Sequence, residues 1–159
     1  MYSDTTYQPF TYETDDAVYF FTSALDPLNN WSAHAVEIWG TKFPTPEHAY
    51  HWRKYSQTEL SLAEQILQAP CPYTAMMVDR QTDRTLSLQS WDDCKVSVME
   101  GLLRAKVVQN QDVRDCLLKT GSKQIIEISP FDDFWGCGPR GDGQNMMGKL
   151  LEKVRQEIS

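Results

Sequence analysis

The stretch Thr45-Pro46-Glu47-His48 most narrows what this chain can fold into, because it fixes where a helix begins. Thr45 suits the N-cap, since its hydroxyl can accept a bond from an otherwise orphan amide of the first turn. Pro46 then takes the first helical position, where its missing N–H costs nothing. Glu47 follows in the same turn, near the positive end of the helix dipole. The residue three after Thr45 is His48 rather than Glu or Gln, so no capping box closes here and the Glu47 side chain is left for other work. His48, His51 and Lys54 line or flank one face, being three residues apart. Tyr50 and Trp52 share no single stripe, which predicts a helix touched on more than one side.

Around this helix the pattern is helix-rich with a few short strands. Val18-Tyr19-Phe20-Phe21 is a β-rich run and reads as a strand. Residues 23–32 form a loop, with Asp26-Pro27 and Asn29-Asn30 as turn formers. Val36-Glu37-Ile38-Trp39 alternates and then meets Gly40, giving a second strand and a turn. The Thr45 helix runs to about residue 56. Thr58 is expected to cap a helix over 59–69, which Pro70 and Pro72 interrupt. A short helix over 73–78 comes next, and 79–88 reads as a polar loop carrying Arg80 and Arg84. Ser90 is expected to cap the longest helix, 91–109, whose Val96, Met99, Leu103 and Val107 have helical spacing and face the core. A helix over 111–120 stops at Gly121, in the expected C′ position. Residues 124–128 form a strand, and the last helix, 144–157, buries Met147, Leu150, Leu151, Val154 and Ile158.

This order lacks the strict β-α-β alternation of a doubly wound sheet. The expected fold is mainly α, a helix-rich α+β domain. Residues 1–16 are polar and aperiodic and read as a flexible tail; a length of 159 residues makes 17–159 most simply one domain. The formal charge of −7 argues against a protein that lives on attraction to nucleic acid or anionic membrane, a local basic cleft being the exception. No run approaches the length of a membrane span, and Met1-Tyr2-Ser3-Asp4 lacks the basic and apolar regions of a signal peptide. Cys71, Cys94, Cys116 and Cys137 are scattered with no C-x-x-C pair, which suggests neither a zinc site nor a disulfide framework. Reduced thiols in the cytoplasm are expected.

The second informative stretch is residues 129–145, where Gly136, Gly138, Gly141 and Gly143 lead into the last helix. Residues 136–141 match G-x-G-x-x-G, but the dinucleotide fold needs a further strand and an acidic residue about twenty positions on, and the chain has only one helix after the motif. A Gly-rich loop entering a helix exposes amides that suit phosphate or carboxylate. Spacing alone favours the plainer reading, a tight turn needing positive φ. Asp132 and Asp133 sit among Phe131, Phe134 and Trp135; an acid, base or ribose-hydroxyl acceptor and an Asx turn stand level there. For Glu47, a favourable first-turn charge is the plainer reading. His48 and His51 read as helical histidines rather than metal ligands, with no third ligand at suitable spacing. Trp91 and Trp135 suit either base stacking or the core. Arg80, Arg84 and Lys54 suit phosphate or solvent. Two carboxylates beside aromatics and an anion-binding loop would suit cleavage at a sugar carbon, where an oxocarbenium-like transition state needs negative charge and a water must be activated.

A larger set of residues carries a resemblance. It comprises Asn29-Asn30-Trp31, Pro44-Thr45-Pro46-Glu47-His48, Lys54, Trp91 with Lys95, Met99, Leu103-Arg104-Ala105-Lys106 and Thr120-Gly121. It continues through Asp132, Phe134-Trp135-Gly136, Gly143-Gln144-Asn145, Gly148 and Leu150-Leu151. In order and spacing, over residues 19–155, these resemble the YbiA-like family, also called NADAR (NAD and ADP-ribose-associated). The resemblance implies a compact, mostly helical domain and an N-glycosidase that hydrolyses the bond between ribose and a base; hydrolysis without metal or organic cofactor is the expected chemistry. In YbiA-like enzymes the substrates are phosphoribosylamino-pyrimidine intermediates of riboflavin synthesis.

By the same resemblance Glu47 and Asp132 are the catalytic carboxylates. Asn30, His48, Lys54, Arg80, Trp91, Trp135, Gly136 and Asn145 are expected to bind substrate, with Trp91 and Trp135 at the base and Lys54, Arg80 and the 136–145 loop at phosphate. The chain departs from the family pattern at Asn29-Asn30, where Ser-Asn is usual, at His51-Trp52-Arg53, which is usually Gln-rich, and at Gly101, where an Arg is usual. These changes border the expected pocket and bear on substrate identity. Three alternatives accompany the reading. The first is an ADP-ribosyl-guanine glycohydrolase, the only one with a nucleic-acid partner; the others are a silent NAD or ADP-ribose-binding module and a partner-binding domain.

Overall fold

A computed structural model describes residues 11–21 and 26–159. The chain divides into two compact units, residues 30–115 and residues 1–29 with 116–159. The elements in chain order are β1 (Tyr12–Glu13), β2 (Ala17–Phe20), β3 (Val36–Ile38), β4 (Thr41–Phe43), α1 (Pro46–Tyr55), α2 (Leu60–Leu67), α3 (Pro72–Arg80), a 3₁₀ turn (Arg84–Leu86), α4 (Trp91–Gln109), α5 (Gln111–Lys119), β5 (Gln124–Glu127) and α6 (Met146–Ile158). The helix-rich α+β character expected from the sequence is what the structure has.

In the unit of residues 30–115, β3 and β4 form an antiparallel hairpin pairing Val36 with Phe43 and Ile38 with Thr41. Its two-residue turn, Trp39-Gly40, has φ of 54° and 72°. Paired positive φ values match the right-handed twist of the flanking strands, and Trp39 is an unusual residue to adopt one. The turn places Trp39 parallel to Trp52 of α1, ring centres 6.3 Å apart, while the Arg53 guanidinium lies 5.1 Å from the Trp39 ring. Tyr50 faces the other way, its ring edge-on to Trp91 of α4 at 5.2 Å. The split between Tyr50 and Trp52 therefore has its predicted cause: α1 is touched on several sides. Tyr55, Ala63, Ile66, Ala69 and Ala75 form the buried core that joins α1 to α2 and α3.

Local signals set most of these boundaries, and four readings need correction. Thr58 does not cap α2; Glu59 occupies that position without a side-chain bond, and the Thr58 hydroxyl donates to the Leu86 carbonyl at 2.7 Å. Ser90 makes no side-chain capping bond. The third helix starts at Pro72, a residue suited to a first turn, and runs to Arg80, so Asp79 lies in a helix rather than opening a loop. The strand β4 has no counterpart in the sequence reading, its three residues being too short to show alternation.

In the other unit, β2 lies between β1, antiparallel to it, and β5, parallel to it. Of the expected tail, residues 1–10 lie outside the described residues, and Tyr12–Glu13 form the edge strand β1. Residues 22–25, mostly within the expected 23–32 loop, also lie outside them. The helix α6 packs on β5 so closely that a Cβ at Gly148 would collide with the Ile125 carbonyl oxygen. Buried Val18, Phe20, Ile125, Leu151 and Val154 supply apolar packing to this unit. Arg155, also buried, donates to the Thr120 hydroxyl at 2.6 Å and to the Lys123 carbonyl at 2.8 Å, which ties α6 to the turn after α5.

Candidate active site

The first turn of α1 forms as its sequence dictates. The Thr45 hydroxyl accepts from the His48 amide at 3.3 Å and meets His48 Nδ1 at 2.7 Å. His48 Nε2 faces the Ala69 carbonyl at 3.0 Å. A carbonyl only accepts, so Nε2 carries the hydrogen and Nδ1 accepts from the hydroxyl. Burial lowers the pKa of this ring, with smaller opposing contributions from the Ala69 bond and Glu47. His48 is thus tied by both nitrogens, linking the start of α1 to the end of α2.

From the same first turn a chain of charged groups begins at Glu47. Glu47, His51, Lys54 and Tyr55 share a helical face at spacings of three and four. His51 Nε2 lies 2.8 Å from Glu47 Oε1, and His51 Nδ1 lies 2.6 Å from Asp79 Oδ2. Asp79 also accepts from Lys54 Nζ at 3.1 Å and from the Tyr55 hydroxyl at 2.5 Å. Side-chain exposure is 9% for both His51 and Asp79 and 14% for Glu47, so the group is screened from water but Glu47 is not sealed. Burial alone would push the His51 pKa down; the charge of Glu47 and the hydrogen bonds to Asp79 and Glu47 outweigh it and raise the ring to about 9. Burial opposes the ionised Asp79, but the His51 bond and charge, then Tyr55 and Lys54, hold its carboxyl well below the usual range. The Tyr55 phenol is pushed up by burial and by Asp79.

Around this chain, Lys54 Nζ stands 5.9 Å from the centre of the buried Trp91 ring, and Tyr50 meets His51 at 5.2 Å. The Glu47 amide donates to the Asn30 carbonyl at 3.1 Å. The Asn30 side chain is buried; its Nδ2 contacts Met99 Sδ at 3.2 Å, and its Oδ1 finds no hydrogen-bond partner among the described residues. Arg80, the last residue of α3, is exposed. This unit therefore links Glu47 through His51 and Asp79 to Lys54, which lies against Trp91, with the carbonyl of Asn30 at the Glu47 amide and the His48 ring turned toward Ala69.

The glycine-rich loop of the other unit is built differently. Asp132 Oδ1 accepts from the amides of Phe134 at 2.9 Å and Trp135 at 2.8 Å, and its own amide donates to Ser129 Oγ at 2.9 Å. This is an Asx turn. Gly138 and Gly141 have φ of 70° and 75°. Gly136 is buried against Ser129 and Glu127, where a Cβ would stand 2.7 Å from the Ser129 Cβ. The amides that enter α6 are already paired: Asn145 with Gly136, Met146 with Phe134 and Met147 with Trp135, at 2.9–3.0 Å. Asn145 has φ of 50° and no capping bond. Its side chain instead accepts from Glu127 N at 3.0 Å and donates to Ile125 O at 2.8 Å, extending the edge of β5. Trp135 packs edge-on to Phe134 at 4.9 Å.

His51 and Asp79 belong to the charged chain, and neither is among the site residues expected from the sequence. The spacing of Glu47 and His51 is visible in the sequence, but Asp79 becomes a candidate only once α3 is extended to residue 80. Among the described residues, no group of three or more His, Cys, Asp or Glu is arranged to hold a metal ion, and no helix is long and apolar enough to cross a membrane.

A family model for the NADAR domain matches residues 10–159. The chain is 36% identical over 132 residues to N-glycosidase Npun_R5314 of Nostoc punctiforme, covering 82% of this chain and 84% of that protein. It is 29% identical over 147 residues to N-glycosidase YbiA of Escherichia coli, covering 91% and 90%. The solved NMR structure of E. coli YbiA superposes with a TM-score of 0.80 at 27% identity, over 92% of this chain and 87% of that one. A riboflavin biosynthesis protein of Vibrio vulnificus, VVA0006, is 33% identical over 131 residues, which are 82% of this chain but 35% of the longer protein.

Proposed function

This chain belongs to the NADAR domain family, and from that premise we propose that it is an N-glycosidase acting on the ribosyl C1′–N bond of phosphoribosylamino-pyrimidine intermediates of riboflavin synthesis. Two of its relatives carry the name N-glycosidase and a third the name riboflavin biosynthesis protein. The observation that carries the reading is the Glu47 carboxylate, largely shielded from water and bonded through one oxygen to His51, whose other partner, Asp79, also holds Lys54, 5.9 Å from the Trp91 ring. A shielded carboxylate of this kind offsets positive charge that develops at C1′ as the base departs. It also accepts a proton from an attacking water. In the reaction a water oxygen bonds to C1′, the C1′–N bond breaks, and its electron pair leaves with the base, which is protonated.

Within this proposal Glu47 orients and deprotonates the water, Trp91 and Trp135 wall or stack on the base, and Lys54, Arg80 and the 136–145 loop serve the phosphate. Asp132 takes the ribose hydroxyls through Oδ2, since Oδ1 is committed to the amides of Phe134 and Trp135. Asn30 supports the first turn of α1 through its carbonyl, and His48 fixes that turn to Ala69. The substrate is a small molecule, and no organic cofactor or metal enters the mechanism. A cytoplasmic location fits four cysteines that form no disulfide with one another.

The test is base release, followed by chromatography, from a phosphoribosylaminopyrimidine, ADP-ribosylated guanosine and NAD, using wild type and Glu47→Gln. Release of the pyrimidine by wild type alone is the expected result. Release from ADP-ribosylated guanosine instead would move the substrate class, and release from none by a folded sample would overturn the enzymatic reading in favour of a binding module.

A further inference from the structure

We propose that His51 is a positioning residue: clamped by Asp79 on one side, it fixes the Glu47 carboxylate on the other for attack at C1′. The proposal rests on the N-glycosidase reading and adds a residue to it. Its geometric basis is that both ring nitrogens face carboxylate oxygens, Glu47 Oε1 at 2.8 Å and Asp79 Oδ2 at 2.6 Å. A neutral imidazole has one donor and one acceptor, so it would turn a lone pair toward one carboxylate; only the imidazolium donates to both. The ring is therefore charged in this arrangement, and its tilt is set by two short, charge-assisted bonds at opposite ends.

The clamp has a rigid foundation. Asp79 is held by Lys54 Nζ and the Tyr55 hydroxyl as well as by His51, and both come from the face of α1 that carries Glu47. The titratable groups that act on His51 are Glu47 and the neutral ring of His48 on α1, and Asp79 on α3, which also holds Lys54 of α1. Tyr55 on α1 stands behind Asp79, Arg84 in the 3₁₀ turn acts on Tyr55, and α4 contributes the uncharged Trp91 beside Lys54. With His51 protonated, two carboxylates balance two cations. Loss of its proton leaves the group with a net negative charge and takes the charge-assisted donor away from either Asp79 or Glu47. Asp79 thereby acts on Glu47 without touching it.

The experiment pairs the pH dependence of kcat and KM with a ¹⁵N NMR titration of the His51 ring, for wild type, Asp79→Asn, His51→Gln and His51→Ala. In wild type the ring is expected to titrate near pH 9, and kcat is expected to fall on the alkaline side with the same midpoint. In Asp79→Asn both midpoints should move together toward neutrality. His51→Ala should lower kcat by about 10²-fold with little change in KM, the cost of a misplaced reacting group. His51→Gln, whose amide can still donate to Glu47, should recover part of kcat and lack that alkaline limb. A ring that titrates near 6.5, an alkaline limb that ignores Asp79→Asn, or an unchanged kcat in a folded His51→Ala would each overturn the proposal. Wild type that releases no base would defeat the N-glycosidase reading and, with it, the role at C1′; the titration would still separately decide whether His51 is charged.

Discussion

The turn entering α1 and the loop entering α6 are both acidic and aromatic, and each precedes a helix, yet they use their polar groups in opposite ways. The 129–145 loop turns its groups inward. Asp132 Oδ1 binds two amides of its own loop, the first amides of α6 go to loop carbonyls, and Asn145 extends the edge of β5. At α1 the cap closes with Thr45 and His48 alone, and the face starting at Glu47 gathers His51, Lys54 and, from α3, Asp79 into one ionic group. Glu47 is the carboxylate of that group with more room to meet a ligand, its side chain being 14% exposed against 9% for Asp79. A loop that satisfies itself supplies shape, whereas a group that balances charge against charge supplies reactivity. This difference supports the proposal that the proton chemistry belongs to Glu47 and that the loop shapes the place where the ribose and phosphate would sit.

Removing the keystone of the ionic group should produce the largest loss of stability. Asp79→Ala strips the acceptor from His51, Lys54 and Tyr55 together and should cost about 3–5 kcal/mol, read from urea unfolding. A small change would show that the group is held by something other than Asp79. The corresponding challenge to the other region is Gly148→Ala. The added methyl would meet a backbone oxygen, that of Ile125, which cannot move aside without shifting β5. A loss of about 3 kcal/mol is expected in the same assay.

The two ionised partners also give stability a pH signature. The His51 pKa rises from 6.5 to about 9 on folding, so its contribution is complete below pH 6.5 and is lost as pH rises through about 9. That loss is on the order of 3 kcal/mol, since each tenfold gain in proton affinity is worth about 1.4 kcal/mol. Asp79 has the reverse sign: its pKa falls below 3.8, so its contribution is present above that value and lost on further acidification. Unfolding free energy should therefore peak on the acidic side of neutrality and decline toward pH 9, and His51→Gln should flatten the alkaline decline. The smallest effect is expected from Asp132→Asn, which retains an oxygen for the Phe134 and Trp135 amides and should change stability by less than about 1 kcal/mol. Asp132→Ala, which leaves those two amides without their acceptor, should cost about 1–3 kcal/mol.

The local parts of this molecule are readable in its sequence. Thr45 and Pro46 start α1 as their chemistry requires, and Gly121 follows the end of α5 with φ of 58°. The plainer readings of the glycine loop and of Asp132, a positive-φ turn and an Asx turn, describe the hydrogen bonds found there. Features that depend on distant partners are not readable in this way. Asp79 meets His51 across 28 positions of sequence, and the Thr58 hydroxyl finds Leu86 instead of a helix amide. Trp39 adopts positive φ where a turn signature calls for Asn or Gly, because the hairpin twist demands it and Trp52 lies under its ring. The importance of His51 does not follow from its place on α1 alone; it requires Asp79 on another helix.

The most direct test of the account sets Glu47→Gln beside Asp132→Asn in one base-release assay on a phosphoribosylaminopyrimidine, with folding of each verified by circular dichroism. Glu47→Gln should reduce kcat by about 10²–10⁴-fold, the range for a lost acid–base group. Asp132→Asn should chiefly raise KM, as expected of a residue that holds ribose hydroxyls. Near-normal turnover in a folded Glu47→Gln, with kcat abolished in Asp132→Asn, would contradict the account and move the chemistry to the loop.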